Sequence, residues 1–354
     1  MFTRLQHACH YWIFQATGQT CSTQFFETEI PASFFGQTKM TQKITENKIK
    51  GMMAGVCLGD AIGERYEFSY GCEPYQDIIL PGYLQGQVTD DTEMCVTLAQ
   101  SLIKNRGVNE THLVSEYCQW VASNPADVGI NTQKLFEKGP DQCEKIWREC
   151  HMPGNEAKWS QGNGCLMRAM PLAVIPDPEA WARDCSLTNA HPDCVEAHFV
   201  YCMVLRCVLE GKHPTLKPSW SKSTIVQGVI SDVLRDGKKF SRDISHQRGW
   251  TMHALYCALH TYNILDHFVA QPDPFAALMR VIIGDNLNSD TDTNACIAGA
   301  VLGAHLGFEK LTAPEITQKN WQIIQQAAKR TNRPRKYTAV VLDEVVQGLL
   351  KIQK

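Results

Sequence analysis

GMMAGVCLGDAIG, residues 51–63, is the stretch that decides the fold, because glycine recurs in it at every fourth position. Residues four apart lie on one face of an α-helix, so this pattern predicts a helix with a smooth stripe. Each glycine inside a helix costs about 1 kcal/mol relative to alanine. The stripe therefore predicts that another backbone or a ligand closely approaches this face. Its members are Gly51, Gly55, Gly59 and Gly63.

A second glycine stripe lies near the other end of the chain. Gly299, Gly303 and Gly307 are again four apart, and several alanines between them keep the surface small. We expect the two striped helices to lie at the centre of the molecule. Helical spacing of apolar residues dominates the remaining chain and strand-like alternation is scarce. The sequence thus predicts an all-α fold.

The composition indicates a globular protein with a substantial core. Its 354 residues are 44% hydrophobic, the formal net charge is -3, and lysine and arginine are scattered along the chain. This charge pattern favours neither a nucleic-acid surface nor a membrane-surface patch. No apolar run reaches the roughly 18 residues typical of a membrane span. We therefore expect a small or locally recognised ligand, no membrane partner and a monomer.

Cysteine usage indicates a reducing compartment. The chain has 15 cysteines, an odd number without a Cys-x-x-Cys pair, and several lie in apolar helical runs. They are typical of reduced thiols in a core. The first 26 residues lack a continuous apolar segment, so no signal peptide is predicted and we expect a cytoplasmic protein. Residues 1–46 show no helical period and predict a partly disordered N-terminal extension before a catalytic domain at residues 47–354.

Two clusters of acids and hydroxyls precede apolar helical stretches. The first is Thr89-Asp90-Asp91-Thr92 and the second is Asp290-Thr291-Asp292-Thr293. Helix capping is one interpretation, since aspartate and threonine favour helix starts, and Glu93 would complete a capping box. One cap needs only one side chain, however, so the adjacent carboxylates of Asp90 and Asp91 favour a cation. Hard divalent cations prefer such oxygen ligands.

The second cluster predicts the other half of the same site. Asp290 and Asp292 can converge on one point from a turn, and Thr293 adds a hydroxyl at the helix start. The flanking sequence is apolar on both sides, and buried carboxylates need compensation. Glu67 can reach the same centre from the end of the first striped helix; the alternative is a surface ion pair with Arg65. Asp60 is expected to bond backbone groups rather than a metal.

Two short loops are candidates for ligand binding. The first is Ser160-Gln161-Gly162-Asn163-Gly164, and the second is Asp127-Val128-Gly129-Ile130-Asn131-Thr132. Exposed amides in such loops can hold a phosphate or diphosphate. Each is also explained by an ordinary turn or helix start, with Asn131 or Thr132 as the cap of the second. His191-Pro192 is typical of a helix start, and Cys165 is more simply a packing residue than a nucleophile.

Together these motifs resemble the ADP-ribosylglycohydrolase family. The resemblance runs from about Ile49 to about Gly307 and is carried by five strings in order. They are GDAIGERYEF at residues 59–68, TDDTEM at 89–94, DVGINT at 127–132, QGNGCLMR at 161–168 and SDTDTNACIAGAVLGAHLG at 289–307.

The resemblance implies a single compact multi-helix bundle around a cleft that holds two Mg²⁺ ions, with Mn²⁺ as an alternative. It implies metal ligands at Thr89, Asp90, Asp91, Asp290, Asp292 and Thr293, and a further acid at Glu67. It assigns ADP-ribose to Gly129, Thr132, Ser160, Gln161, Gly162, Asn163 and Gly164. The family often has Thr-His near the adenine and ribose pocket, where this chain has Thr188-Asn189, so Asn189 and nearby His191 are included.

The implied reaction is hydrolysis at the anomeric carbon of the distal ribose, releasing ADP-ribose from a protein or small molecule. The catalytic acid or base is expected among Asp91, Asp90 and Glu67, with Asp91 preferred. Two alternatives stay open at this stage. One is a non-catalytic ADP-ribose-binding relative, and the other is a magnesium-dependent phosphoesterase acting on a nucleotide diphosphate.

Overall fold

A computed structural model describes residues 43–69, 77–79, 85–284 and 289–353 of the chain. The predicted N-terminal extension, residues 1–46, lies almost entirely outside these residues, so its boundary and disorder stay predictions. Within the described residues every regular element is helical, which confirms the all-α prediction. None of the described helices is long and apolar enough to cross a bilayer.

The described residues form fifteen α-helices joined by short turns and 3₁₀ segments. In chain order they are α1 (Glu46–Gly63), α2 (Asp90–Asn105), α3 (Glu110–Ala122), α4 (Ile130–Phe136), α5 (Pro140–Cys150), α6 (Pro178–Ser186), α7 (Pro192–Leu209), α8 (Thr224–Asp236), α9 (Thr251–Asn263), α10 (Leu265–Val269), α11 (Pro274–Ile283), α12 (Thr291–Leu306), α13 (Phe308–Leu311), α14 (Glu315–Arg330) and α15 (Leu342–Ile352).

The two glycine-striped helices, α1 and α12, cross in direct backbone contact. A Cβ atom added at Gly55 or Gly59 would overlap the carbonyl group of Gly299 or Ala295, respectively. At Gly63 the added Cβ would lie 2.5 Å from the Cα of Asp292. These pairs run in opposite order along the two helices, so the helices are antiparallel. The predicted close approach of another backbone is confirmed.

This crossing determines where the acidic segments meet. The C-terminal end of α1, with Asp60, lies against the N-terminal end of α12, with Asp292. Every residue of α1 from Gly51 to Gly63 is buried, as are all residues of α12 from Thr291 to Ala304. The two helices therefore form the centre of the core, as predicted, and the carboxylates of Asp60 and Asp292 at their junction are shielded from water.

Candidate active site

Asp60 holds the start of α2 from the neighbouring helix α1. Its carboxylate accepts hydrogen bonds from the backbone amides of Thr89 and Thr92, both at 3.0 Å, and from the Thr89 hydroxyl at 2.8 Å. Free amides at a helix start need such acceptors. The structure thus confirms that Asp60 bonds backbone groups, and it shows that the cap of α2 comes from a distant residue.

The local capping box, one of the two interpretations of the first cluster, is absent, so that interpretation is wrong. Thr89 occupies the N-cap position but its side chain makes no capping hydrogen bond. Glu93 is instead buried against α3 and the C-terminal region, where it accepts hydrogen bonds from Trp120 at 2.7 Å and from Arg333 at 2.7 and 2.8 Å. Capping by Asp60 leaves Asp90 and Asp91 available for other partners.

Asp91 joins the two acidic clusters. One carboxylate oxygen accepts a hydrogen bond of 2.9 Å from the hydroxyl of Thr293, in the first turn of α12. Its other oxygen, Oδ2, is buried and has no hydrogen-bond partner among the described residues. A buried acceptor without a partner is costly, so this atom indicates a missing positive or donor group.

The second cluster begins α12 rather than lying wholly in a turn. Asp290 is the N-cap residue and Asp292 lies in the first helical turn. The Asp290 carboxylate accepts a hydrogen bond of 2.9 Å from the side-chain amide of Asn163. The predicted convergence of Asp290 and Asp292 on one point is observed, although Asp292 reaches that point from the helix.

Glu67 is brought to the same place by backbone contacts on both of its sides. The amide of Phe68 donates to the carbonyl of Ser289 at 2.9 Å, and the Thr291 hydroxyl donates to the carbonyl of Tyr66 at 3.3 Å. The segment that carries Glu67 is therefore attached to the entry of α12. Glu67 is partly exposed, whereas Asp290 is buried beneath it.

The carboxylates form two overlapping groups that share Asp292. One group contains Asp60, Asp91 and Asp292, and the other contains Glu67, Asp290 and Asp292. Within each group, one ligand atom from every residue lies within 4.8 Å of the others. The chain thus gathers Glu67, Asp91, Asp290 and Asp292 from both predicted clusters, with Asp60 as an additional member that the sequence assigned to the backbone alone.

Burial and mutual repulsion raise the pKa of these acids. For Asp90, burial and then the charges of Asp127 and Asp60 raise the pKa to about 8. For Glu67, burial and then Asp290 raise it to about 8. Burial is also the main cause of the raised pKa of Asp91 and Asp292. Ionised together, these groups need compensating positive charge.

These residues fit hard divalent cations. The donor set consists of carboxylates, the partnerless atom is a carboxylate oxygen, and the acids are crowded around a shared centre. Oxygen-rich sites of this kind suit Mg²⁺ or Mn²⁺ rather than soft metals. The predicted ligands Thr89 and Thr293 border the centre with hydroxyls that donate to Asp60 and Asp91, respectively.

The loop at residues 129–132 lies beside the first cluster. The amide of Gly129 donates to the Asp90 carboxylate at 3.1 Å, and α4 begins immediately afterwards. The alternative of a helix start is thus confirmed, but its cap is Gly129 and not Asn131 or Thr132. The Asn131 side chain donates to the carbonyl of Thr188 at 2.9 Å. A Cβ added at Gly129 or Gly164 would be 3.9 Å from the Thr132 hydroxyl.

The loop at residues 160–164 lies on the side of the second cluster. Asn163 contacts Asp290, as described above, and the amide of Asn189 donates to the carbonyl of Gly162 at 2.9 Å. Asn189 also donates to the Ser160 hydroxyl at 3.4 Å. The Gln161 amide nitrogen is 3.3 Å from Nε2 of His191, whose Nδ1 accepts from the amide of Asp193 at the start of α7. Of the predicted loop residues, Gly129 and Asn163 therefore contact the acids directly, and Asn189 contacts the 160–164 loop.

Sequence reasoning missed residues 249–251, which support this loop. Thr251 donates through its amide to the carbonyl of Gln161 at 2.9 Å and through its hydroxyl to that of Gly162 at 2.6 Å. A Cβ added at Gly249 would be 3.2 Å from the Asp290 carboxylate. Trp250 also donates through its ring nitrogen to the Gln161 side chain at 3.1 Å, and the amide of Asn163 donates to the carbonyl of Gly249 at 2.9 Å. Most of these bonds involve the backbone, so the segment carries no recognisable motif in the sequence.

Arg168 supports the 160–164 loop from the protein interior. It is fully buried, forms an ion pair with Asp184 at 3.2 Å, and donates to the carbonyl of Gly164 at 2.8 Å and to the Thr188 hydroxyl at 2.9 Å. Because its donors are used inside the protein, Arg168 positions the loop and does not contact a ligand directly. Its spacing from the glycines was the only signal in the sequence.

Comparisons with known proteins find relatives that match most of the chain. The profile of the ADP-ribosylglycohydrolase family matches residues 41–339. The chain is 24% identical over 314 residues to ADP-ribosyl-[dinitrogen reductase] glycohydrolase of Rhodospirillum rubrum, covering 83% of this chain and 97% of that protein. It is 24% identical over 332 residues to human ADP-ribosylhydrolase ARH3, covering 77% and 89% of the two chains.

Further similarity is found to a bacterial enzyme and to a solved structure. ADP-ribosylarginine hydrolase Tri1 of Pseudomonas putida is 23% identical over 303 residues, covering 82% of this chain and 79% of that protein. A solved chain titled ADP-ribosylglycohydrolase-related protein complex superposes with a TM-score of 0.64 at 20% identity, covering 87% and 99% of the two chains. The family match spans most of this chain, including both acidic clusters, so the protein belongs to the ADP-ribosylglycohydrolase family, a family of hydrolases.

Proposed function

We propose that this protein is a divalent-cation-dependent hydrolase that cleaves the glycosidic bond at the anomeric carbon of the distal ribose in ADP-ribosylated substrates. ADP-ribose and the free acceptor are the products. The observation that carries the proposal is the convergence of Glu67, Asp91, Asp290 and Asp292 on one centre at the junction of α1 and α12. Family membership supports the substrate class, and the names of the relatives support release of ADP-ribose.

Two cations would be held by the two overlapping carboxylate groups. Asp91 and Asp292 would be the ligands in one group and Asp290 and Asp292 in the other, with Thr89 and Thr293 alongside and Asp90 at the border, while Glu67 faces the substrate. Bound there, the cations would supply Lewis acidity and hold the ribose hydroxyls. The protein determines where the cations would lie, because the hydrogen bonds of Asp60 and Thr293 hold the starts of α2 and α12 in place.

The two glycine-containing loops would hold the ADP part of the substrate. The lack of side chains at Gly129 and Gly164 leaves space beside Asp90 and Thr132, where a diphosphate can approach the backbone. The polar side chains beside this space would face the adenosine half of the substrate. They belong to Ser160, Gln161, Asn189 and His191. Gly162 and Asn163 connect this wall to Asp290.

We assign proton transfer to Glu67 rather than to Asp91, which is the residue that the sequence favoured. A general acid or base must meet the substrate and exchange protons with it. Glu67 is partly exposed, unlike the four buried acids of the two groups, so it can meet the substrate. Asp91 is completely buried and hydrogen-bonded to Thr293, which suits a cation ligand better.

A turnover assay with identified products tests the proposal. The full-length protein is incubated with arginine-, serine- and nucleobase-linked ADP-ribose and with small ADP-ribosylated metabolites, with Mg²⁺ or after chelation. Release of intact ADP-ribose that requires Mg²⁺ or Mn²⁺ is expected for at least one linkage. Turnover that survives exhaustive chelation contradicts the cation requirement. AMP or phosphate as the product indicates a phosphoesterase, and ADP-ribose binding without turnover on any substrate indicates a binding protein.

A further inference from the structure

A second cluster of metal-ligating side chains lies outside the carboxylate centre. The thiols of Cys165 and Cys185 and the imidazole of His198 are each completely buried, and one ligand atom from each lies within 4.8 Å of the others. Cys165 follows the 160–164 loop, Cys185 lies in the last turn of α6, and His198 lies in α7. Three separate segments thus contribute to one point.

His198 provides an independent sign that a ligand is missing. It is 0% exposed, neither of its ring nitrogens makes a hydrogen bond of good geometry among the described residues, and the polar groups that approach it are the thiols of Cys165 and Cys202. A neutral imidazole has one donor and one acceptor, and leaving both unsatisfied in a core costs on the order of 1–3 kcal/mol for each group. A metal ion bound to one ring nitrogen would remove part of this cost.

The sequence of α7 supplies a fourth ligand. Cys194, His198 and Cys202 are spaced four apart and therefore lie on one face of the helix. Cys194 is buried and faces the 160–164 loop that leads to Cys165, with its thiol 3.9 Å from the carbonyl of Ser160. Thiols and an imidazole together form a soft donor set.

We propose that Cys165, Cys185, Cys194 and His198 bind one structural Zn²⁺ ion. Three thiolates and one imidazole form a common tetrahedral zinc site, and the soft sulfur donors disfavour Mg²⁺. Zn–S bonds of about 2.3 Å in a tetrahedron separate two sulfurs by about 3.8 Å. The ligand atoms of Cys165, Cys185 and His198 lie within 4.8 Å of one another, so closure of these three around an ion needs movements of about 1 Å, and Cys194 would complete the site from the same face of α7 as His198.

The zinc site would stabilise the substrate side of the carboxylate centre. The carbonyl of Cys185 accepts from the amide of Asn189 at 2.9 Å, and Cys165 directly follows Gly164. A shared ion would therefore connect the 160–164 loop, the end of α6 and the start of α7. The inference does not depend on the proposed reaction, because its ligands are separate from the carboxylates and its readout is metal content.

Metal analysis of the full-length protein tests this proposal. Protein purified under reducing conditions from zinc-supplemented cells is expected to contain one Zn²⁺ per chain. Cys165→Ser and Cys185→Ser should each lower zinc affinity at least about tenfold, given the 10–100-fold cost of losing even supporting residues. Cys257→Ser, at a buried cysteine in α9 outside the cluster, is the matched control and should retain zinc.

A second measurement does not depend on any variant folding. Co²⁺ added to the zinc-free wild-type protein should produce the intense visible bands of tetrahedral cobalt and a thiolate-to-metal charge-transfer band. Asp91→Asn should keep both signals, because that residue belongs to the other centre. Absence of zinc together with absence of cobalt bands overturns the proposal. So does a disulfide between Cys165 and Cys185 in the freshly purified protein, seen as a mass lower by two hydrogens.

Discussion

The hydroxyl of Thr293 donates a hydrogen bond of 2.9 Å to the carboxylate of Asp91, although the two residues are 202 positions apart. Each lies in the first turn of a buried helix. Two helix starts therefore face each other, and both direct their partial positive charge toward the same acids. This arrangement reduces the repulsion among the carboxylates but does not neutralise it.

Replacing Asp91 or Asp292 by asparagine should abolish release of ADP-ribose. The amide has nearly the same size as the carboxylate but lacks its charge, so cation binding is lost while packing is kept. We expect activity to fall at least about 100-fold in either variant. Initial rates at saturating Mg²⁺ measure this loss. Asp343→Asn, at a side chain that is 76% exposed, is the control, and near-wild-type turnover of Asp91→Asn would contradict its role.

Glu67→Gln should separate proton transfer from cation binding. General acid–base catalysis contributes about 10²–10⁴-fold, so kcat should fall by that factor. The Mg²⁺ concentration for half-maximal activity should change much less than in Asp292→Asn, where one ligand common to both groups is lost. Mg²⁺ titrations of the two variants give the comparison. An unchanged kcat in Glu67→Gln would contradict proton transfer by Glu67 and would favour Asp91 as the proton-transferring residue.

Gly59→Ala should strongly destabilise the protein. The new Cβ would overlap the backbone carbonyl of Ala295, which cannot move without separating α1 from α12. We expect the free energy of unfolding to fall by about 3 kcal/mol or more. Gly228→Ala is the matched control: this exposed glycine lies in α8 with nothing within 4 Å of an added Cβ, so the change should stabilise by about 0.5–1 kcal/mol. Urea unfolding measures both, and equal effects would contradict the close helix contact.

His305 should make the protein less stable in mild acid. Burial, followed by the charges of His213 and Lys48, lowers its pKa to about 4, whereas an unfolded histidine titrates near 6.5. Between these values the unfolded chain binds more protons, so stability falls as the pH falls from about 6.5 toward 4. His305→Gln should reduce the drop in Tm between pH 7 and pH 5. His246→Gln, at a ring that is 85% exposed, should leave that drop unchanged. A drop as large in His305→Gln as in the wild type would contradict the role of His305.

The fold and the acidic centre were predictable because their signals are local. Glycine at every fourth position can only mean a smooth helix face, and adjacent acids before an apolar helix stand out in any chain. The partners of those residues were not predictable. Asp60 caps a helix whose N-cap residue lies 29 positions away in the sequence. Glu93 binds Arg333, which lies 240 positions away, and does not cap α2. Likewise, the nearness of Cys165 and His198 arises only when α6 and α7 pack beside the 160–164 loop.

The antiparallel crossing of α1 and α12 also determines when the protein becomes competent during its synthesis. A ribosome that has released α1 and α2 has supplied Asp60 and Asp91, but Asp292 follows about two hundred codons later. Until then the glycine stripe of α1 has no partner backbone, and the nascent chain exposes an incomplete core. The carboxylate centre and the contact between α1 and α12 can therefore form only after α12 has left the exit tunnel.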